Sequence, residues 1–256
     1  MFGIYPERPP QLAPIKPCAY QVGSSEARSR GTLRSACNVL PGVQMNYLYS
    51  ALIGYLLGSF PTAYLLIKKS NGIDITKNGS GNVGAMNSYE VSKSKRIGLL
   101  VFLIDALKGF LSSLLAYYLF GETFLIAITA LTASVFAHCY SPWLKFKGGR
   151  GLATAAGGSF FISLPVLIVW GLNWLAIYLF SKNIHLGNYM ATIFTAIGAF
   201  TFPQLLIKYS LIPPASTNEF SLTVAILMFI IFTKHILPIG DFLKSNKNLK
   251  EKKNDI

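Results

Sequence analysis

Five apolar runs, at about residues 47–67, 97–119, 123–142, 188–207 and 220–237, each come close to the length a helix needs to cross a bilayer core, about 20 residues. Lipid offers no hydrogen bonds to a backbone, so runs of this kind must close their N–H and C=O groups internally as helices. The chain therefore reads as an all-α membrane protein. Only 13% of its residues are charged, against roughly 25% in soluble proteins, and the runs leave little sequence for a separate soluble domain.

A sixth stretch, 152–180, is ambiguous. As one helix it would be about 43 Å long, too long for a core of about 30 Å without strong tilt. Ser163-Leu-Pro165 lies in its middle, and proline belongs in the first turn of a helix, so two short helices are expected. Basic residues decide the count of crossings, because cytoplasmic loops carry the excess of Lys and Arg. With two crossings here, 16 basic residues share one face: Lys68, Lys69, Lys77, Lys93, Lys95, Arg96, Lys145, Lys147, Arg150, Lys182, Lys234, Lys244, Lys247, Lys250, Lys252 and Lys253. Only Lys208 faces them from the opposite loops. A single crossing would divide them 10 to 7. A polytopic bundle of seven transmembrane helices with Gly-rich cytoplasmic loops is the expectation, although 152–163, about 18 Å long, is short enough to penetrate without spanning.

The formal charge of +13 thus belongs to a membrane surface and not to nucleic acid. Residues 1–44 read differently from the rest, with Pro6, Pro9, Pro10, Pro14, Pro17 and Pro41 in a polar stretch that lacks the apolar core of a signal peptide. They are expected to be a disordered or non-native extension, followed by a membrane-embedded domain over 45–245 and a basic tail over 246–256. Cys18, Cys37 and Cys139 form no CxxC pair, which argues against a disulfide framework or a Cys-rich metal site.

Two loops on the basic face carry more than a connector needs. The first reads Gly79-Ser80-Gly81-Asn82-Val83-Gly84-Ala85-Met86-Asn87. Glycines let backbone N–H groups approach an anion, and Ser80, Asn82 and Asn87 add side-chain hydrogen bonds. No Gly-Lys-Ser/Thr follows as in a Walker A loop, and no βαβ unit surrounds it; a plain flexible turn is the alternative. In the second loop Lys147-Gly148-Gly149-Arg150-Gly151 precedes a helix, so N–H groups at a helix N-terminus and a guanidinium can converge on one anion. Membrane anchoring accounts for Lys145 and Lys147 without the glycines. Asp105 and Lys108 share one helix face at i,i+3, as a functional site or as a structural ion pair. His138 and His235 end their runs, as caps or as site residues. Four carboxylates among the spans and inside loops (Asp74, Glu90, Asp105, Asp241) give a paired-carboxylate metal site little support.

At these loops the chain resembles the PlsY family of bacterial acyl-phosphate:glycerol-3-phosphate acyltransferases. GSGNVGAMN resembles its first motif, the run from His138 through FKGGRGLAT its second, and Asp105-Ala-Leu-Lys108-Gly109 its D-x-x-K-G segment, over about residues 47–245. The resemblance implies acyl transfer from acyl phosphate to the 1-hydroxyl of glycerol 3-phosphate, giving lysophosphatidic acid and phosphate in phospholipid biosynthesis, with no metal or other cofactor. It implies a multi-pass protein of the bacterial plasma membrane, with its active site facing the cytoplasm and an acyl-phosphate-forming enzyme acting upstream. Catalytic roles fall on His235, Arg150 and Asn82. Substrate phosphate binding falls on Ser80, Gly81, Gly84, Asn87, Lys147, Gly148, Gly149 and Gly151, with Asp105, Lys108 and His138 supporting the site. The chain departs from the family at Met86 (usually Thr), at Glu90 (an Arg), at Arg150 (a Lys), at His185-Leu-Gly-Asn188, and after His235, where the Glu and Asn of RHREN are missing. These departures motivate a second expectation, a degenerate member that binds lipid precursors or partners without catalysis; an anion transporter is a third.

Overall fold

The computed structural model describes residues 41–236. The expected extension over 1–44, apart from its last four residues, and the basic tail over 246–256 lie outside the described residues. Ten α-helices follow one another: α1 (Pro41–Ser59), α2 (Thr62–Asn71), α3 (Ala85–Ser92), α4 (Lys95–Phe120), α5 (Phe124–Cys139), α6 (Leu152–Ile162), α7 (Leu164–Ser181), α8 (Ile184–Thr201), α9 (Pro203–Lys208) and α10 (Thr217–Thr233). No strand occurs among the described residues. The segments 44–71, 95–120, 124–144 and 164–181 are long and apolar enough to cross a membrane, and α6 and α10 are shorter apolar helices. Side chains such as Leu103, Leu107, Leu172 and Phe180 cover the outside with apolar surface, as lipid requires.

The polar residues at run ends work as caps. Ser94, Thr123, Asn183 and Ser216 each accept a hydrogen bond from a first-turn backbone N–H of α4, α5, α8 and α10, which closes donors that a helix start leaves open. Ser163 and Pro165 separate α6 from α7, as their sequence implied. Two further runs expected to be single helices are also broken at proline: 47–67 divides at Phe60-Pro61 into α1 and α2, and 188–207 at Phe202-Pro203 into α8 and α9. The cause is the one that divides 152–180, a ring that cannot donate to the preceding turn.

Glycine sets how closely the helices cross. A Cβ on Gly54 or Gly58 of α1 would meet the carbonyls of Ala130 and Ser134 on α5. On Gly109 of α4 it would meet the carbonyl of Thr154, and on Gly157 of α6 that of Ala106. These are the small-residue contacts through which membrane helices gain van der Waals packing. The core joins Leu131 and Val135 of α5 with Phe161 and Ile162 of α6, Ala199 of α8 and Phe220, Val224 and Leu227 of α10.

Helix α7 is the exception. Val166 is its one buried residue, and α7 holds to α8 through Trp170, whose Nε1 donates to Thr192 Oγ1 at 3.2 Å. It thereby stands off from α4 and α6 and leaves a space between them.

Candidate active site

That space is a cavity of about 750 Å³, within the range of about 300–1,000 Å³ typical of ligand sites. Its walls change character from end to end. Phe102 of α4, Ala155 and Ala156 of α6, Leu167, Trp170 and Trp174 of α7 and Met228 of α10 make an apolar body. Asn82, Glu90, Arg150, Lys182, Asn183 and His185 make a polar mouth.

The first Gly-rich loop is organised around one side chain. Asn87, 1% exposed, accepts from the Ser80 N–H at 2.9 Å and donates to the carbonyls of Asn78 (3.1 Å) and Asn82 (2.9 Å). Gly79 and Gly81 take φ of +60° and +70°, where glycine is at home. Asp74 fixes the approach to the loop by accepting from the Thr76 N–H and hydroxyl, and the Thr76 hydroxyl bond holds its carboxyl below the usual range. The loop thereby presents Asn82 and Gly84 to the cavity.

The second loop is shaped by what lies behind it. A Cβ on Gly148 would meet the carbonyls of His138 and Cys139, and one on Gly149 the His138 imidazole. The Gly149 N–H donates to the His138 carbonyl at 3.1 Å. Gly151 ends the loop at φ +79° as the N-cap of α6, and Arg150 and Gly151 line the cavity. The Arg150 Nη1 lies 3.2 Å from His185 Nδ1. A guanidinium only donates, so this Nδ1 is the acceptor. Burial draws Arg150 below its ordinary value, while the Glu90 carboxylate acts in the opposite direction. Glu90 is exposed and forms no ion pair among the described residues.

Beneath both loops lies a buried charged group. Lys108 Nζ is 2.8 Å from Asp105 Oδ1 and donates to the Phe60 carbonyl at 2.6 Å, at the break between α1 and α2. His138 Nδ1 lies 3.8 Å from the same Asp105 oxygen. Asp105 and His138 also line the cavity. His235, 1% exposed, lies just past the end of α10. Its Nδ1 is 2.9 Å from the Ile231 carbonyl, so Nδ1 carries the proton and Nε2, buried and without a hydrogen-bond partner among the described residues, keeps its lone pair. Burial pushes its pKa down to about 4; Arg150 and His185 add to this and the Ile231 carbonyl opposes it.

Of the residues expected at the site, Asn82, Gly84, Arg150, Gly151, Asp105 and His138 meet at the cavity. Ser80 and Lys147 are exposed, and the Asn87 side chain is taken up inside its own loop. Lys182, Asn183 and His185 join them; the sequence marks Lys182 only as a basic residue of this face and His185 only as a departure from the family, and neither as a site residue. Their signal was a polar cluster interrupting the apolar runs of α7 and α8.

A helical bundle with a cavity that is cationic at its mouth and apolar along its body defines a membrane protein suited to anionic amphiphiles. The chain belongs to the glycerol-3-phosphate acyltransferase family, whose model matches residues 48–245. It is 38% identical over 158 residues to the glycerol-3-phosphate acyltransferase of Thermotoga petrophila, covering 62% of this chain and 80% of that one. It is 31% identical over 205 residues to that of Ehrlichia canis, covering 80% and 99%. A crystal structure of PlsY (YgiH), an integral membrane glycerol 3-phosphate acyltransferase in its glycerol 3-phosphate form, matches with a TM-score of 0.64 at 32% identity, over 78% of this chain and 92% of that one. The protein is accordingly a multi-pass membrane protein and an acyltransferase.

Proposed function

We propose that the chain transfers a fatty acyl group from acyl phosphate to the 1-hydroxyl of glycerol 3-phosphate, releasing lysophosphatidic acid and phosphate. The observation that carries this reading is the one-ended polarity of the cavity, with Arg150 and His185 at the mouth and Trp170, Trp174 and Met228 along the body. An acyl chain fits the body and a phosphate the mouth. The hydroxyl oxygen forms a bond to the acyl carbonyl carbon, the bond from that carbon to the phosphate oxygen breaks, and the phosphate departs with the electron pair. The donor is already activated, so the protein aligns the reactants and neutralises charge. Arg150 meets the departing phosphate with up to two parallel hydrogen bonds. Asn82, Ser80, Gly84 and the amides of Gly148 and Gly151 complete the anion site, while the Gly81 and Gly149 amides are held by the Asn78 and His138 carbonyls and shape the two loops; Lys147 adds charge at the rim. The hydroxyl proton passes to phosphate; His235, buried and outside the cavity lining, supports the site from behind.

We further propose seven crossings, with the mouth on the cytoplasmic face of a bacterial plasma membrane, on the strength of the 16 basic residues assigned to that face. Purified protein in detergent, given palmitoyl phosphate and glycerol 3-phosphate, is expected to release inorganic phosphate and lysophosphatidate. Absence of product with both acyl phosphate and acyl-CoA overturns the reading. A second reading, a member that binds without turnover, is favoured by one observation: Glu90 places negative charge at the mouth that a phosphate must enter. Binding of glycerol 3-phosphate without phosphate release would select it.

A further inference from the structure

A second concavity, of about 550 Å³, lies on another face of α10. Ile231 and Met228 face the active-site cavity, whereas Ile226 and Ile230 face this groove. Its floor is α5, at Ile128, Thr132 and Phe136; its other wall is α1, at Leu48 and Leu52. Leu52 is 48% and Ile226 53% exposed, so the groove opens sideways into the hydrocarbon and not toward water.

The end of the groove nearest the mouth of the cavity carries a cation. One helical turn beyond Phe136 stands Tyr140, with ring centroids 5.2 Å apart. One turn beyond Ile230 stands Lys234, whose Nζ lies 3.9 Å from the Tyr140 ring centroid. The Tyr140 hydroxyl is 2.8 Å from Thr233 Oγ1, which fixes the ring against α10. The ion pairs among the described residues involve Asp105 alone, so Lys234 has no carboxylate partner there. A ring face attracts an ammonium without neutralising it, and basic pockets between membrane helices hold anionic lipid headgroups.

We propose that this groove binds a glycerophospholipid with an anionic headgroup, one acyl chain lying on α5 between α1 and α10 and the headgroup phosphate on Lys234. Charge complementarity decides the occupant. A purely apolar partner helix would cover the groove and leave the ammonium at its rim without an anion, while a phospholipid satisfies both parts.

The test is native mass spectrometry of the purified chain released from nanodiscs that contain phosphatidylglycerol or phosphatidylcholine of the same acyl composition. The wild type is expected to retain one phosphatidylglycerol about fivefold more often than phosphatidylcholine, the preference that one lysine near an anionic lipid surface supplies. Ile226→Trp, at an exposed position, fills the groove and is expected to bring retention of both lipids to background. Leu222→Trp, 57% exposed and outside the groove, is expected to behave as wild type. Lys234→Gln is expected to retain both lipids equally. Equal retention of the two lipids by wild type, or an Ile226→Trp variant indistinguishable from Leu222→Trp, overturns the proposal. So does a dimer of the chain that Ile226→Trp dissociates.

Discussion

The two Gly-rich loops have three glycines each and opposite construction. Residues 79–87 fold around a polar side chain of their own, with Asn87 at the centre and Gly79 and Gly81 supplying left-handed backbone. Residues 147–151 lie against a neighbour, with Gly148 and Gly149 seated on the end of α5 where no Cβ fits. In the first loop Gly79 and Gly81 are needed for conformation, Gly79 also for room beside the Asn87 amide, whereas in the second Gly148 and Gly149 are needed for room. The two needs differ in cost when they are denied.

Gly148→Ala breaks the comparison most strongly. Its Cβ meets backbone, which cannot rotate away, so the cost is expected to exceed about 3 kcal/mol, the upper end for overpacking, and the variant is expected to yield little folded protein by size exclusion in detergent. Close behind is a pH effect at the helix end beneath the second loop. His235 titrates near 4 when folded and near 6.5 when unfolded. The unfolded chain therefore binds more protons between these values. Stability is full above pH about 6.5 and falls by on the order of 3 kcal/mol as pH drops toward 4, measurable as a lower thermal midpoint; His235→Gln is expected to flatten that slope.

Arg150→Ala is expected to lower turnover about 100-fold, about 2.7 kcal/mol, as removal of one charge-stabilising donor does, with an unchanged melting curve. Normal phosphate release by this variant would remove Arg150 from the site. Asn87→Ala strands the Ser80 N–H and the carbonyls of Asn78 and Asn82 and is expected to cost about 2 kcal/mol, read as faster hydrogen exchange over 75–87. Gly81→Ala is the mildest. Its Cβ would lie 3.1 Å from the Thr76 carbonyl at a left-handed φ, a strain of about 1–2 kcal/mol. If Gly81→Ala proved as damaging as Gly148→Ala, the distinction between conformation and room would fall.

The sequence made the helical membrane class legible because lipid permits few alternatives. The α6/α7 break was legible too, since Pro165 stands where one helix would be too long. The breaks at Pro61 and Pro203 carried the same signal inside runs of acceptable length, and apolar continuity hid them. Arg150 was legible because a guanidinium among glycines ahead of a helix has few other uses. The work of Asn87 inside its loop was not, because an asparagine offers the same amide to a ligand or to its own backbone. His185 and Lys182 were hidden for another reason. A polar cluster between the apolar runs marks residues 182–185, but only the packing of α7 on α8 brings them beside Arg150.

Lys108 closes a helix break that lies 48 residues earlier in the chain, by donating to the Phe60 carbonyl. The consequence concerns the order of assembly. The end of α1 and the start of α2 reach the membrane before α4 does, so this contact waits for a later segment. Helix α2, and with it the loop that carries Asn82 toward the cavity, acquires its final support only when Lys108 arrives, already neutralised by Asp105 one turn away. A charged side chain is thus delivered to the interior as part of a pair.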